Sequence, residues 1–431
     1  MTALAPTVPV TPEPGVHRHV VTVSRKLAIT LGVVTALSAL LYLLAPREGD
    51  TSFRLATGTD AVEIGDLKVP GMATAWVCVA VMAVLTVYAA VRTWTNRRTG
   101  LWVPILFAFA FLVAFLSWAG AGSDSDIPVS RLIAGSVLLS VPIVFGALGG
   151  VIGERAGVVN IAIEGQLLAG AFTAAFVGTL TGSPWAGLIA AVLSGVLVAL
   201  VLGVFAIKYR VNQVIVGVVL NVLVIGLTSF LYSTVMVPDA ETFNQTERFG
   251  SLAIPLLSKI PILGQALFNQ PVVVYMMYVA VPAVWFALMR TRWGLRVRAV
   301  GEHPTAADTV GIKVERTRYR ALVVAGAITG IGGGFYTVVS VSSFGKEMTA
   351  GAGFIALAAV IFGKWDPVRA ALAALLFGFA SNLEGTLSIV GAPVPSQFML
   401  MLPYVVTILA VAGLVGRSRP PAASGEPYVK G

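Results

Sequence analysis

Twelve apolar stretches, most of them close to the length that crosses a bilayer, follow one another through this chain and dictate what it can fold into. They fall at about 27–45, 73–91, 101–119, 132–152, 157–179, 185–207, 213–236, 271–289, 321–342, 351–363, 368–388 and 398–415. A helix needs about 20 apolar residues to cross the hydrocarbon layer. The chain therefore reads as an all-α, polytopic transmembrane helical bundle with about 10–12 spans. Charged residues make up only 11% and hydrophobic ones 57%, against about 25% charged in soluble domains. The stretch at 27–45 follows Arg25 and Lys26 and imitates a secretory signal, but its apolar core is too long and no small-residue cleavage site follows. The segment 351–363 is short and flanked by glycine. It reads either as a half-helix or re-entrant element, the kind of broken segment that lines a substrate site, or as a tilted ordinary span.

Basic residues gather on alternate connections. Arg92, Arg97 and Arg98, then Lys208 and Arg210, then the run from Arg290 to Arg320, then Arg417 and Arg419 share one side. The other connections, 46–72, 122–130 and 237–270, carry Asp50, Asp60, Glu63, Asp66, Asp124, Asp126, Asp239, Glu241 and Glu247 with fewer basic residues. By the positive-inside rule the basic side is cytoplasmic, so both termini are expected there and the number of spans is even. The net charge of +9 is explained by this asymmetry, and no nucleic acid partner is expected. The lone cysteine, Cys78, excludes a disulfide framework. Residues 1–26, with Pro6, Pro9, Pro12 and Pro14, read as a disordered cytoplasmic tail. Residues 27–130 read as accessory helices with an extracytoplasmic loop, and 417–431 as a second cytoplasmic tail.

Polar groups inside apolar segments mark where chemistry or helix contacts concentrate, since one at membrane depth costs roughly 2.5 kcal/mol or more. The stretch Gly153 to Phe172, GERAGVVNIAIEGQLLAGAF, carries Glu154, Arg155, Asn160, Glu164 and Gln166. Asn160 and Glu164 share a helix face, and two roles fit them: a translocation path or a clamp between helices. Gln213, Gly217 and Asn221 recur every four residues; Ser340, Ser343 and Phe344 lie where the 321–342 segment ends; Asn382 and Glu384 lie late in 368–388. Amides, hydroxyls and an aromatic ring suit a neutral, hydroxyl-rich small-molecule solute; for any single residue the alternative is a helix–helix hydrogen bond. Gly326, Gly330 and Gly334 form a ladder suited to close helix packing.

Catalysis by this chain is not expected. There is no GxxxxGK[ST] phosphate loop, no cofactor motif, and only three histidines, His17, His19 and His303. The run from Thr291 to Arg320 is too long for a simple turn and too charged to bury, which points to an external partner. Within it, Pro304 suits a helix start and Gly311 a helix end.

Three stretches together, GERAGVVNIAIEGQ from Gly153, WGLRVRAVGEHPTAADTVG from Trp293 and GFIALAAVIFGKWDP from Gly353, resemble permease subunits of ATP-binding-cassette importers for simple sugars and nucleosides. These belong to a larger group that also serves ribose and branched-chain amino acids. The resemblance covers 131–416. It implies a coupling loop built from Gly301, Ala306, Ala307, Asp308 and Gly311, which docks into the ATPase. Thr305 departs from the family's usual glutamate before the alanine pair. The partners implied are a second permease subunit, a cytoplasmic ABC ATPase dimer and an extracytoplasmic substrate-binding lipoprotein, assembled in the lipid bilayer of the cell membrane. The alternative is an ion-coupled secondary transporter of a small polar solute, for which Glu164, Glu384 and Glu347 are the available carboxylates.

Overall fold

The computed structural model of the chain describes residues 25–55, 65–391, 401 and 419–430. The expected tail at 1–24 and, apart from Met401, the apolar segment at 398–415 lie outside them. Among the described residues ten helices are long and apolar enough to cross a membrane. They are α1 (Lys26–Leu44), α2 (Gly71–Trp94), α3 (Trp102–Ala119), α4 (Val129–Arg155), α5 (Ile163–Thr181), α6 (Pro184–Gly203), α7 (Gln213–Leu231), α10 (Val272–Arg290), α13 (Val314–Phe335) and α15 (Pro367–Val390). Between them lie the short helices α8 (Ala240–Phe243), α9 (Leu263–Phe268), α11 (Arg292–Glu302), α12 (Pro304–Thr309) and α14 (Ala352–Phe362). Helices α6, α7 and α13 each end in a π-helical turn, at Val204–Lys208, Tyr232–Met236 and Tyr336–Val341.

The chain divides into two compact units, Met1–Ala45 with Ala75–Phe115, and Pro46–Thr74 with Leu116–Gly431. In the first, Leu31, Met82, Leu85, Val103 and Phe107 form the core. Tyr42 meets Trp76 edge-on at 6.2 Å, and the hydroxyls of Thr35 and Thr86 lie 3.2 Å apart. In the second unit, the strand β1 (Asp50–Arg54) pairs antiparallel with β2 (Leu67–Pro70) and parallel with β3 (Ile127–Pro128). The connection 46–72, expected with the accessory helices, thus joins the second unit. A two-stranded ribbon pairs β4 (Ser251–Ala253) with β5 (Asn269–Pro271).

Helix α13 is the centre of the second unit, packed against α4, α5 and α6. Small residues allow this. A Cβ on Gly326 would lie 2.5 Å from the Gly195 carbonyl oxygen, and one on Gly330 would run into the Ala191 carbonyl of α6. On its other side, a Cβ on Gly170 of α5 would lie 2.8 Å from the Gly330 carbonyl oxygen. The glycine ladder is a packing seam, because only backbones this close gain full dispersion contact where no hydrophobic drive separates protein from lipid.

The segment 343–364 makes a broken passage. The Ser342 carbonyl accepts from Thr246 N at 2.9 Å, and the Val338 carbonyl from Phe249 N at 2.8 Å, so α13 ends beside the 237–271 connection. At the far end, the Trp365 indole donates to Glu154 and its carbonyl accepts from Arg155 Nε at 2.9 Å, at the close of α4. Helices alternate direction from α4 to α7, which puts those two ends on opposite faces. Helix α14 has 11 residues, covering about 16 Å at 1.5 Å per residue, half of a ~30 Å hydrocarbon layer. The loop 343–351 supplies the remainder.

Candidate functional site

Broken helices at membrane depth must have their backbone ends satisfied by protein, and Glu164 does this for α14. Its Oε1 accepts from Thr349 Oγ1 at 2.6 Å and from Gly351 N at 2.9 Å, and its Oε2 from Gly353 N at 2.6 Å. The carboxylate is 5% exposed and faces the positive end of the α14 dipole, where an anion is stabilised. Gly353 must lack a side chain, since a Cβ there would lie 2.5 Å from Glu164 Cα.

The other polar residues of this region hold the irregular turn between α4 and α5. Gln213 Oε1 accepts from Val159 N at 2.7 Å. Asn221 Oδ1 accepts from Gly165 N at 2.8 Å, while its Nδ2 donates to the Ile161 carbonyl at 2.9 Å. Gly217, between them, packs on Ile161. Asn160 and Gln166 pair through their amides at 3.2 Å and 3.4 Å. The four-residue stripe on α7 is thus a zipper against a stretch of non-helical backbone, which sequence periodicity locates on a face without naming its partner. Asn160, Glu164, Gln166, Gln213 and Asn221 are all buried and lie around this one turn and the start of α14.

A second cluster is aromatic. Phe344, 2% exposed, meets Phe172 edge-on at 5.2 Å and Tyr232 at 5.8 Å. Phe172 and Phe176 lie nearly parallel at 6.1 Å, as do Phe176 and Phe243 at 5.6 Å. Asn244 holds the Phe344 backbone from both sides, accepting from its N at 2.6 Å and donating to its carbonyl at 3.0 Å. Lys346 Nζ lies 5.9 Å from the Tyr232 ring. Of the predicted trio here, Phe344 is central, Ser343 is half-buried and Ser340 is exposed. Phe172, Tyr232, Phe243 and Asn244 carry no mark in the sequence beyond the four-residue spacing of Phe172 and Phe176.

On the face that bears β3, a cavity of about 490 Å³ is lined by Arg54, Asp124, Asp126, Arg131, Asn382 and Thr386. Asn382 Nδ2 donates to the Leu132 carbonyl at 2.6 Å and to Ser136 Oγ at 3.3 Å, tying α15 to α4. Glu384, two residues on, is half-buried on another side of α15 and does not line this cavity.

At the opposite face α11 and α12 form a platform. Ala306, Thr305 and Thr309 are exposed and Asp308 is half-buried. Ala307 faces inward against Val300, Val314 and Tyr428. Gly301 is glycine because a Cβ would strike the Arg155 carbonyl, and Gly311, at φ +84°, closes α12. The five residues expected in a coupling loop therefore divide: Ala306 presents a surface, Asp308 is half-buried, and Gly301, Ala307 and Gly311 shape the platform. Beside them a pocket of about 270 Å³ is lined by Arg296, Lys313, Arg316 and Arg320 with no carboxylate in its wall.

The sequence profile of the family described as "Branched-chain amino acid transport system / permease component" matches residues 132–411. The chain belongs to this family. It is 40% identical over 312 residues to the guanosine ABC transporter permease protein NupQ of Bacillus subtilis (strain 168), covering 70% of this chain and 98% of the relative. It is 36% identical over 314 residues to the nucleoside ABC transporter permease protein NupC of Lactococcus lactis subsp. cremoris (strain MG1363), covering 69% and 96%. A putative glucose ABC transporter permease protein, TsgC13 of Haloferax volcanii, is 35% identical over 257 residues, covering 59% and 76%. No solved structure matches the chain.

As an ABC transporter permease, the chain is an integral protein of the plasma membrane. The family implies an ATPase and a substrate-binding protein as partners. The matched range begins inside α4, so α1–α3 and residues 419–430 stand outside it.

Proposed function

We propose that the chain is the permease subunit of an importer for nucleosides, energised by a separate cytoplasmic ATPase dimer. Its similarity to the guanosine and nucleoside permeases, over nearly their full length, carries the reading. Residues 131–416 form the translocating core, paired with a second permease. An extracytoplasmic lipoprotein delivers solute at the face that bears β3 and the 490 Å³ cavity; both termini and the α11–α12 platform are cytoplasmic.

Solute passes along the aromatic cluster around Phe344, where flat rings suit a nucleobase, and on to the polar turn held by Gln213 and Asn221. Closing of the ATPase dimer displaces α12, and α4 and α13 move with it. The α14 passage, pinned at its mid-membrane end by Glu164, is the element that shifts. Both oxygens of Glu164 are engaged by Thr349, Gly351 and Gly353, which argues against its serving as an ion-coupling carboxylate of a secondary transporter. Exposed Ala306 and Thr309 on α12 form the docking surface, and the neighbouring basic pocket favours an acidic rim on the ATPase.

Uptake of labelled guanosine by cells carrying this chain and its partners is the test. Saturable uptake competed by other nucleosides and not by glucose is expected. Competition by glucose alone would transfer the reading to simple sugars, in line with the glucose relative.

A further inference from the structure

Residues 419–430, within the stretch expected as a second cytoplasmic tail, are threaded across the α11–α12 platform. Ala423 N donates to the Gly301 carbonyl at 2.9 Å and Gly425 N to the Gly157 carbonyl at 3.3 Å. Ala422 N donates to Glu302 Oε2 at 3.2 Å. Arg318 Nη1 donates to the Glu426 carbonyl at 3.0 Å. The Tyr428 side chain closes the strap by packing with Val300, Ala307 and Val314. Burial, followed by the neighbouring Asp308 carboxylate, raises the Tyr428 hydroxyl pKa above its ordinary value.

These contacts reach three stretches of the chain that are separate in sequence: the α11–α12 platform, the α4–α5 turn and the foot of α13. Two glycines form the bed. At Gly157, φ +84°, a Cβ would lie 2.9 Å from Arg318 Nη2 and 3.1 Å from the Ala423 carbonyl oxygen, and Gly301 has no room for one at all. Arg318 is 1% exposed, and its Nε and Nη2 have no hydrogen-bond partner among the described residues. A buried guanidinium is costly unless it is met by acceptors, and the acceptor it has is the strap's Glu426 carbonyl. Helix α12 has six residues, too short to act as a lever unless it is fixed to something.

We infer that residues 420–428 are a coupling strap: Tyr428 and the Arg318–Glu426 contact position α12, so that displacement of α12 reaches the α4–α5 turn and α13. The strap lies beyond the residues that the family profile matches. Its role rests on the reading that α12 receives an ATPase. The ring of Tyr428 does the positioning, because it covers Ala307.

The test uses the whole transporter in lipid nanodiscs and proteoliposomes, with Tyr428→Ala, Tyr428→Phe and a chain ending at residue 418. Three quantities are read: assembly with the ATPase, ATP hydrolysis, and solute moved per ATP. Tyr428→Ala is expected to assemble and to hydrolyse ATP within about twofold of wild type, while solute moved per ATP falls at least tenfold. Tyr428→Phe is expected to restore the ratio to within twofold, which a change in folding alone would not do. Wild-type transport per ATP in Tyr428→Ala, or in the truncated chain, overturns the strap. Failure of Tyr428→Ala to assemble where wild type assembles also overturns it, by making the strap a docking surface. Failure of the wild-type chain to bind any ATPase instead overturns the reading beneath it.

Discussion

Glu164→Gln should loosen the α14 passage without unfolding the bundle. The carboxylate accepts from Thr349 and Gly351 through one oxygen and from Gly353 through the other. Glutamine keeps one acceptor oxygen. If that oxygen stays with Thr349 and Gly351, the new NH2 group faces the Gly353 N–H and a buried donor is left unmet. A hydrogen bond to a charged group contributes about 1.5–3 kcal/mol, and an anion at a helix N-terminus about 0.3–2 kcal/mol. Removing the buried charge also removes its desolvation cost, but the stranded N–H and the α14 dipole remain. A net local cost of about 3 kcal/mol corresponds to roughly a hundredfold shift in the opening equilibrium, at 1.36 kcal/mol per decade. Amide hydrogen exchange reads such local opening directly. In lipid nanodiscs, amides 351–355 should exchange about a hundredfold faster, with those of α13 unchanged. A rise of less than threefold at 351–355 would refute the claim that Glu164 pins this element.

The remaining predictions concern packing and docking. Gly330→Val places a branched side chain against the Ala191 carbonyl; overpacking of about 1–3 kcal/mol should lower the melting temperature of the detergent-solubilised chain, and an unchanged melting curve would contradict the seam. Asn221→Ala strands Gly165 N and the Ile161 carbonyl, at about 1–3 kcal/mol for each buried group; limited proteolysis should then cut the 156–163 turn faster. Ala306→Arg should block ATPase co-purification from an intact chain, because Ala306 is exposed. Ala307→Arg should disturb the platform itself, lowering the melting temperature as well as uptake, because Ala307 is buried beneath Tyr428. Equal melting temperatures for the two variants would mean that the faces of α12 are misassigned.

Several parts of this architecture are readable before any coordinates. The spans follow from length and hydropathy, and α12 from Pro304 and Gly311, since those residues act on the backbone next to them. The Gly326–Gly330–Gly334 ladder is likewise a local signal of close packing. What was not readable depends on partners distant in sequence. Glu164 is visibly a carboxylate out of place, but its donors lie at 349–353, which no spacing on α5 announces. The Gln213 and Asn221 stripe is periodic, yet periodicity gives a helix face and not the bare backbone it meets. The length of the 351–363 segment alone does not tell a broken element from a tilted span; the ties of Ser342 and Trp365 to opposite faces make it a half-helix in a broken passage. The strap at 420–428 has no periodic pattern to announce it, and its sequence alone reads as a tail. Arg318 lies in the first turns of α13, and neither its burial nor its acceptor on the strap is marked by any spacing.

The central claim is that solute movement through this chain is driven by a partner ATPase. Its most direct test is guanosine uptake into proteoliposomes holding the purified transporter, with ATP supplied on the ATPase side and ion gradients set independently. The account predicts uptake that requires ATP, stops when the ATPase is inactivated, and is unchanged when ionophores dissipate proton and sodium gradients. Uptake that persists without ATP and collapses with the ionophores would contradict it and make the chain an ion-coupled transporter.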